Sequence, residues 1–282
     1  MVAALPSPPP SIIDPALLQF GSWRMRLSDR ATPGGGAIPS ASIATPRFGL
    51  VVAALDGESA PPADYVNEIL LAPEHREAFF ALVDHHGLVV CKGVGGDDAL
   101  HRGVRGRSSR GRLSQGEYFH HDGCSGPIKP RVVEIRCPYQ EVARHTFTAI
   151  APFPDVVVAM LLELPEILRT GELAALHAEI VEREARTGID WDLVQGTINR
   201  AVRRALPAEP QRAYLRQVDV RIGAYREPWE MGESRFIANR NAGRTMQHRR
   251  AYLELHSGKR PNGHLLKRWP AELELTEDAC EL

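Results

Sequence analysis

Three residues in two distant parts of the chain have the types and spacing of a metal site. His120 and Asp122 stand two apart, and His248 lies far downstream. Because side chains alternate along a strand, residues two apart point the same way and can bind one ion. A second histidine from another strand completes two imidazoles and one carboxylate, which typically hold Fe(II) and leave three positions open. The sequence therefore predicts an iron site at His120, Asp122 and His248, with no further catalytic residue.

Arg268 follows the distal histidine and supplies a planar guanidinium that can bind a carboxylate at two points. A plainer interpretation of His120 and Asp122 also stays open. The pair could belong to an ordinary exposed turn in which the aspartate caps the backbone.

The composition is that of one folded unit with no bias toward a charged partner. The chain has 282 residues, 43% of them hydrophobic, and a net charge of −1. This charge recruits neither nucleic acid nor an anionic membrane, and no apolar run reaches membrane-spanning length. The first residues lack the basic start of a signal peptide, and the four cysteines show no C-x-x-C spacing. We therefore expect a cytoplasmic protein that binds a small molecule.

The hydrophobic periodicity predicts the helices and strands that must position these residues. Residues 1–48, rich in Pro, Gly, Ser and Ala, predict an N-terminal arm with short strands near 20–27 and 48–54. Further strands are predicted at 88–94, 131–137, 144–150, 217–224 and 235–238, and helices at 73–86, from Asp155 to Leu164 and over much of 166–206.

Strands on both sides of a helical stretch predict a mainly β protein with helices, of class α+β. We expect a barrel or sandwich core that spans residues 49–282 and carries a helical insertion or lid at about 155–210.

Taken together, these segments resemble the Fe(II)/2-oxoglutarate-dependent oxygenases of the taurine dioxygenase and clavaminate synthase-like superfamily. The resemblance covers roughly residues 63–270. It rests on the helix-to-strand entry at 86–93, the H-x-D-G motif at 119–123, the threonine-bearing strand at 145–148, the turn and strand at 229–233 and 239–240, and the segments at 248–252 and 264–269.

The resemblance implies a double-stranded β-helix, or jelly-roll, with Fe(II) bound by His120, Asp122 and His248. It implies that Arg268 binds the distal carboxylate of the co-substrate 2-oxoglutarate, with Thr148 and His264 as further contacts. The implied reaction consumes O2 and releases succinate and CO2. It would hydroxylate, desaturate or cyclise an amino-acid-like or natural-product intermediate.

Departures from the family pattern leave alternatives open. His264 stands where the family commonly has an arginine, and the spacers around His248 are long, so His256 is a rival third ligand. His121 and Gly123 could also be taken as a halogenase-like site in which chloride replaces the carboxylate, but Asp122 would then be an unused carboxylate beside the metal.

Four residues are candidate substrate contacts: Tyr118, Arg250, Arg110 and Arg112. The two last belong to a basic stretch that could close over an anionic substrate or form a solvated loop. Tyr118 could instead pack beneath the strand, and Arg250 could form a salt bridge. Two other functions remain possible on sequence alone, a metal hydrolase or isomerase built on Zn(II), and a barrel that binds a ligand without turnover.

Overall fold

The computed structural model describes residues 12–14, 17–20, 23–29, 50–56, 65–92, 104–105, 119–121, 130–137, 146–182, 188–222, 224–225, 229–230, 232–239, 245–252 and 265–270. Strands form at β1 (Ile12–Asp14), β2 (Leu17–Phe20), β3 (Trp23–Asp29), β4 (Leu50–Asp56), β5 (Leu88–Cys91), β6 (Val104–Arg105), β7 (Pro130–Cys137), β8 (Thr146–Pro152), β9 (Glu233–Ala238), β10 (Met246–Tyr252) and β11 (Leu265–Pro270). The α-helices are α1 (Arg76–His86), α2 (Phe153–Leu162), α3 (Gly171–Glu182), α4 (Trp191–Ala205) and α5 (Ala208–Arg221). A π-helical turn at Val66–Leu70 and a 3-10 turn at Glu166–Leu168 complete the helical elements of these residues.

Nine strands form the major sheet, in the order β1-β2-β3-β4-β5-β9-β7-β11-β6, and β8 pairs with β10 to form the minor sheet. The β4–β5 pair is parallel and every other pair among these strands is antiparallel. Helices with mainly antiparallel sheets confirm the predicted α+β class. The boundary placed at residue 48 stays a prediction, although β1 to β3 precede it and continue the major sheet from β4, to which β3 pairs.

Helix α1 covers one face of the major sheet. Phe79 of α1 meets Phe236 of β9 edge-on, with ring centroids 4.8 Å apart. Gly87 ends the helix at φ 76°, a left-handed conformation that favours glycine, and β5 begins at the next residue. The predicted sequence of helix, glycine turn and buried strand is confirmed here.

The other helices form a separate layer around α2. Seven of its ten residues are buried apolar side chains, so α2 is covered on most of its circumference. The helix begins at Phe153, two residues before the predicted start at Asp155. Asp155 therefore lies in its first turn. There the carboxylate faces the positive end of the helix dipole without being the N-cap.

The strand predicted at 217–224 is wrong, because α5 continues to Arg221. Alternating Val218, Val220 and Ile222 suggested a period of two residues. In the structure Val218 and Tyr214 share the buried face of α5, whereas Val220 is 82% exposed. The four-residue spacing of Tyr214 and Val218, which is that of a helix, therefore determines which side chains are buried in this segment.

The minor sheet lies between the major sheet and this helical layer. Thr148 and Ile150 lie on its inner face, where Arg235 of β9 donates a hydrogen bond to the Thr148 carbonyl at 3.5 Å. Ala149 and Ala151 lie on its outer face, within the apolar cluster of α2, α4 and α5. No helix in the described ranges is long and apolar enough to cross a bilayer.

Candidate metal centre

His120 and His248 meet across an antiparallel β-bridge at the edge of β10 that does not pair with β8. The amide of each residue donates to the carbonyl of the other, both at 3.1 Å. Residues paired in this way project to the same side of the sheet as neighbours. Their imidazole centroids are 4.7 Å apart with an interplanar angle of 52°. The fold thus brings together two of the three residues of the predicted metal site.

Both histidines belong to the inner face of the minor sheet. His248 opposes Ile150 of β8, and Ile150 packs in the same apolar cluster as Val133 and Ile135 of the major sheet. His248 is buried, whereas His120 is partly exposed. One side of the pair therefore faces a dry interior and the other remains accessible.

The separation of the two rings fits a shared metal ion. A first-row metal lies about 2.1 Å from an imidazole nitrogen, so two imidazoles bound at a right angle have centroids about 4.5 Å apart. The observed 4.7 Å is close to this value. Two imidazoles leave room for a carboxylate and small molecules, and such a donor set would suit Fe(II).

Asp122, the carboxylate of the predicted site, lies outside the described residues, and so does His256, the rival of His248 as the distal ligand. Within the described ranges no group of three His, Cys, Asp or Glu side chains is placed to hold a metal. Asp122 follows His120 by two residues, so the proposal of a complete triad depends on the segment just after the bridge.

Thr148 brings a buried hydroxyl to the same face. It lies on β8 two residues before Ile150, and its side chain is fully buried. Its Oγ1 has no hydrogen-bond partner among the described residues. A buried hydroxyl without a partner costs about 1–3 kcal/mol, so this atom fits a site that receives a polar ligand.

Arg268 and Arg250 are placed by backbone register. Arg268 opposes Val133 of β7, and Val133 opposes Ile237 of β9, so Arg268 occupies a position on the face of the major sheet that also carries Arg235. Arg250 opposes Thr148 across the minor sheet. Both positions are thus on faces that meet between the sheets.

His121 lies on the opposite side of its strand from His120. Its Nδ1 is 3.1 Å from the Met246 carbonyl, and its ring meets Phe153 of α2 edge-on at a centroid distance of 4.5 Å. The imidazole is therefore packed against the helical layer. This position does not favour the halogenase-like interpretation, which needs His121 at the metal.

The remaining predicted contacts, Tyr118, Arg110, Arg112 and His264, lie outside the described residues.

The structure also shows a buried ion pair that the sequence patterns did not single out. Arg235 is fully buried, binds Glu233 through Nε, and stacks over Trp229 with its guanidinium carbon 3.8 Å from the ring centroid. Tyr225 contacts the guanidinium at 4.9 Å. One sequence signal could have revealed this ion pair. It consists of opposite charges two residues apart in a strand whose two faces are both buried.

No family model matches the sequence, and no curated protein matches it. Solved structures do match. PvcB from Pseudomonas aeruginosa, described as an Fe, alpha-ketoglutarate dependent oxygenase from an isonitrile synthetic pathway, is 17% identical, with 86% of this chain and 90% of PvcB covered and a TM-score of 0.42. AAD-2 in complex with Mn(II) and N-oxalylglycine is 12% identical, with 89% and 99% covered and a TM-score of 0.42. A taurine dioxygenase from Burkholderia xenovorans is 14% identical, with 80% and 88% covered and a TM-score of 0.36. At these identities and scores the superpositions are loose, and the function proposed next rests on the residues of this chain.

Proposed function

We propose that this protein is an Fe(II)- and 2-oxoglutarate-dependent oxygenase that acts on a small molecule. Its two facing sheets would form the double-stranded β-helix of such enzymes. The observation that carries the proposal is the bridge between His120 and His248, which places two imidazoles on one face beside the buried Thr148 hydroxyl. His120, Asp122 and His248 would hold the metal.

With Fe(II) bound, O2 and 2-oxoglutarate supply the oxidation of one substrate C–H bond, and the keto acid leaves as succinate and CO2. The chain's own residues bind and orient. His120 and His248 would offer imidazole nitrogens to the metal. Thr148 would donate its hydroxyl to the co-substrate, and Arg268, with His264 as a further contact, would bind the distal carboxylate.

The surroundings of the site exclude water from one side. Ile150, Val133 and Ile135 form apolar walls between the sheets, and all three are buried. A low-dielectric wall strengthens charged contacts to a carboxylate and limits unproductive oxidation. Tyr118, Arg250, Arg110 and Arg112 remain proposed substrate contacts. We propose hydroxylation, desaturation or cyclisation of an amino-acid-like or natural-product intermediate in the cytoplasm as the reaction.

The test is an anaerobic titration of the apo protein with Fe(II) and 2-oxoglutarate, followed by visible absorption. We expect a weak metal-to-ligand charge-transfer band that His120→Ala and His248→Ala abolish. Removing an outer partner of a metal ligand costs about 10–100-fold in affinity, so loss of a ligand costs more than about 100-fold. Arg268→Ala should weaken 2-oxoglutarate binding with the metal still bound. His85→Ala, an exposed histidine of α1, is the matched control.

Two further variants test the carboxylate ligand and the choice of His248 over His256. Asp122→Ala should abolish coupled succinate formation, and His256→Ala should preserve it. Bound metal with no band, together with oxygen-independent hydrolysis or isomerisation, would contradict the proposal and support a Zn(II) enzyme. Bound metal with neither 2-oxoglutarate binding nor turnover would support a ligand-binding barrel.

A further inference from the structure

The two residues that flank His248 in β10 are each held by a different helix. Gln247 and Gln195 of α4 exchange two amide hydrogen bonds, at 2.9 and 2.8 Å. Arg249 forms a two-point ion pair with Asp219 of α5, through Nε at 2.8 Å and Nη2 at 2.6 Å. Both contacts are on the outer face of the minor sheet, opposite the face that carries His248.

The same arginine also contacts the strand segment of the other histidine. The Arg249 guanidinium carbon is 5.9 Å from the centroid of Phe119, the residue directly before His120. Phe119, Gln195, Asp219 and Arg249 line a cavity of about 10 Å³ between the helices and the sheet. This volume is at the lower limit for a single water molecule.

We propose that Asp219 and Gln195 are positioning residues of the metal site, an inference that rests on the function proposed above. Side chains alternate across a strand, so fixing Gln247 and Arg249 on the outer face fixes the direction of His248 on the inner face. A slip of one residue would turn His248 toward the helices. A charge-assisted, two-point contact is well suited to prevent this, because it sets both distance and orientation.

A second ion pair of the helical layer provides a matched control. Arg221 at the end of α5 pairs with Glu163 just after α2, so this contact joins helix to helix without touching β10. The carboxylates of Asp219 and Glu163 are both mostly buried. Asp219→Asn and Glu163→Gln therefore make the same chemical change in the same layer, and only Asp219 is joined to a neighbour of His248.

The experiment measures Co(II) affinity of the full-length apo protein by visible absorption under argon, with thermal unfolding recorded for every variant. Asp219→Asn should weaken Co(II) binding about 10–100-fold, the range typical of lost support for a metal ligand. Glu163→Gln should stay within about twofold of wild type at a similar loss in Tm, and Asp219→Glu should recover part of the affinity. If Asp219→Asn does not fold, Gln195→Met tests the same role from α4 and should also weaken binding.

The possible failures are distinguishable. Wild-type affinity in both folded Asp219→Asn and Gln195→Met would overturn the positioning role and leave the proposed function intact. An equal loss of affinity in Glu163→Gln would also overturn it, because the effect would then follow stability alone. A wild-type protein that binds no Co(II) would overturn the proposed function, and this inference with it.

Discussion

Two arginine–carboxylate pairs lie on opposite sides of the minor sheet, and they differ in what they join. Arg235 and Glu233 are two residues apart in β9, and both are essentially inaccessible to solvent. Arg249 and Asp219 come from a strand and a helix, and their side chains are 13% and 16% exposed. The two charges of the inner pair belong to one strand, although Arg235 also donates to the Thr148 carbonyl of β8, whereas the two charges of the outer pair come from different layers of the fold.

The difference indicates two separate roles for buried charge. A fully buried pair gains little over apolar residues of the same size, but loss of one partner leaves an uncompensated charge. The inner pair should therefore affect stability. The outer pair holds the strand of His248 to α5, so its removal should affect the proposed metal site more than the fold.

The largest expected effect on stability is at the inner pair. Arg235→Leu leaves Glu233 charged in a dry interior and should lower the free energy of unfolding by about 3–5 kcal/mol. Urea denaturation measures this loss. The control is Arg216→Leu, whose ion pair with Glu209 is exposed and should contribute less than about 1 kcal/mol.

A double variant separates the charge from the packing at this position. Glu233→Leu combined with Arg235→Leu should recover much of the loss, because no buried charge is then left alone. A loss below about 1 kcal/mol in the single variant would show that the two buried pairs do not differ as described here.

A smaller effect is expected at the amide pair on the outer face. Gln195→Leu and Gln247→Leu should each cost about 1–3 kcal/mol, since each leaves one amide without its partner in a partly buried place. The double variant should cost less than the sum, and a double-mutant cycle by urea denaturation measures the coupling. Strict additivity would contradict a direct contact between the two amides.

The smallest effect concerns the face of the major sheet that α1 covers. Burial raises the pKa of the Cys91 thiol well above its ordinary range, and the nearby Glu134 carboxylate acts in the same direction. The thiol should resist iodoacetamide at pH 8 in the native protein and react after denaturation, as mass spectrometry would detect. Native labelling at the rate of the unfolded chain would show that this side is less well sealed than the surroundings of Arg235.

The same thiol gives a pH dependence with a definite sign. Its contribution to stability is present below its unfolded pKa of about 8.5 and declines as the pH rises above that value, because only the unfolded chain then releases the proton. Urea unfolding of wild type and Cys91→Ala between pH 7 and 10 measures this contribution. Parallel pH curves for the two proteins would contradict it.

Part of the fold was predictable because its signals are local. The apolar spacing in Phe79, Leu82 and Val83 and the glycine at position 87 define α1 and its end, and β7 begins one residue from its predicted start. The error at 217–224 has the same origin. In that short segment a period of two competes with a period of nearly four, and only contacts with the helical layer decide which face is buried.

The candidate site divides in a similar way. Residue type and spacing were enough to single out His120, His248 and Arg268, because the chemistry of iron and carboxylates requires particular side chains. Thr148 was singled out only by the resemblance to the oxygenase superfamily. The position of His121 against Phe153 and the enclosure of Arg235 by Trp229 had no counterpart in the local pattern.

The sequence by itself determined which elements form over most of the described chain and which residues are candidates to hold a metal. The tertiary structure decided that His120 pairs with His248, that their faces turn toward the major sheet, and that two helices hold the residues on either side of His248. The physical reason is the distance along the chain between the residues that interact. Helix, turn and ligand preferences arise among near neighbours in the chain, whereas the pairing of distant strands depends on how all the layers pack together.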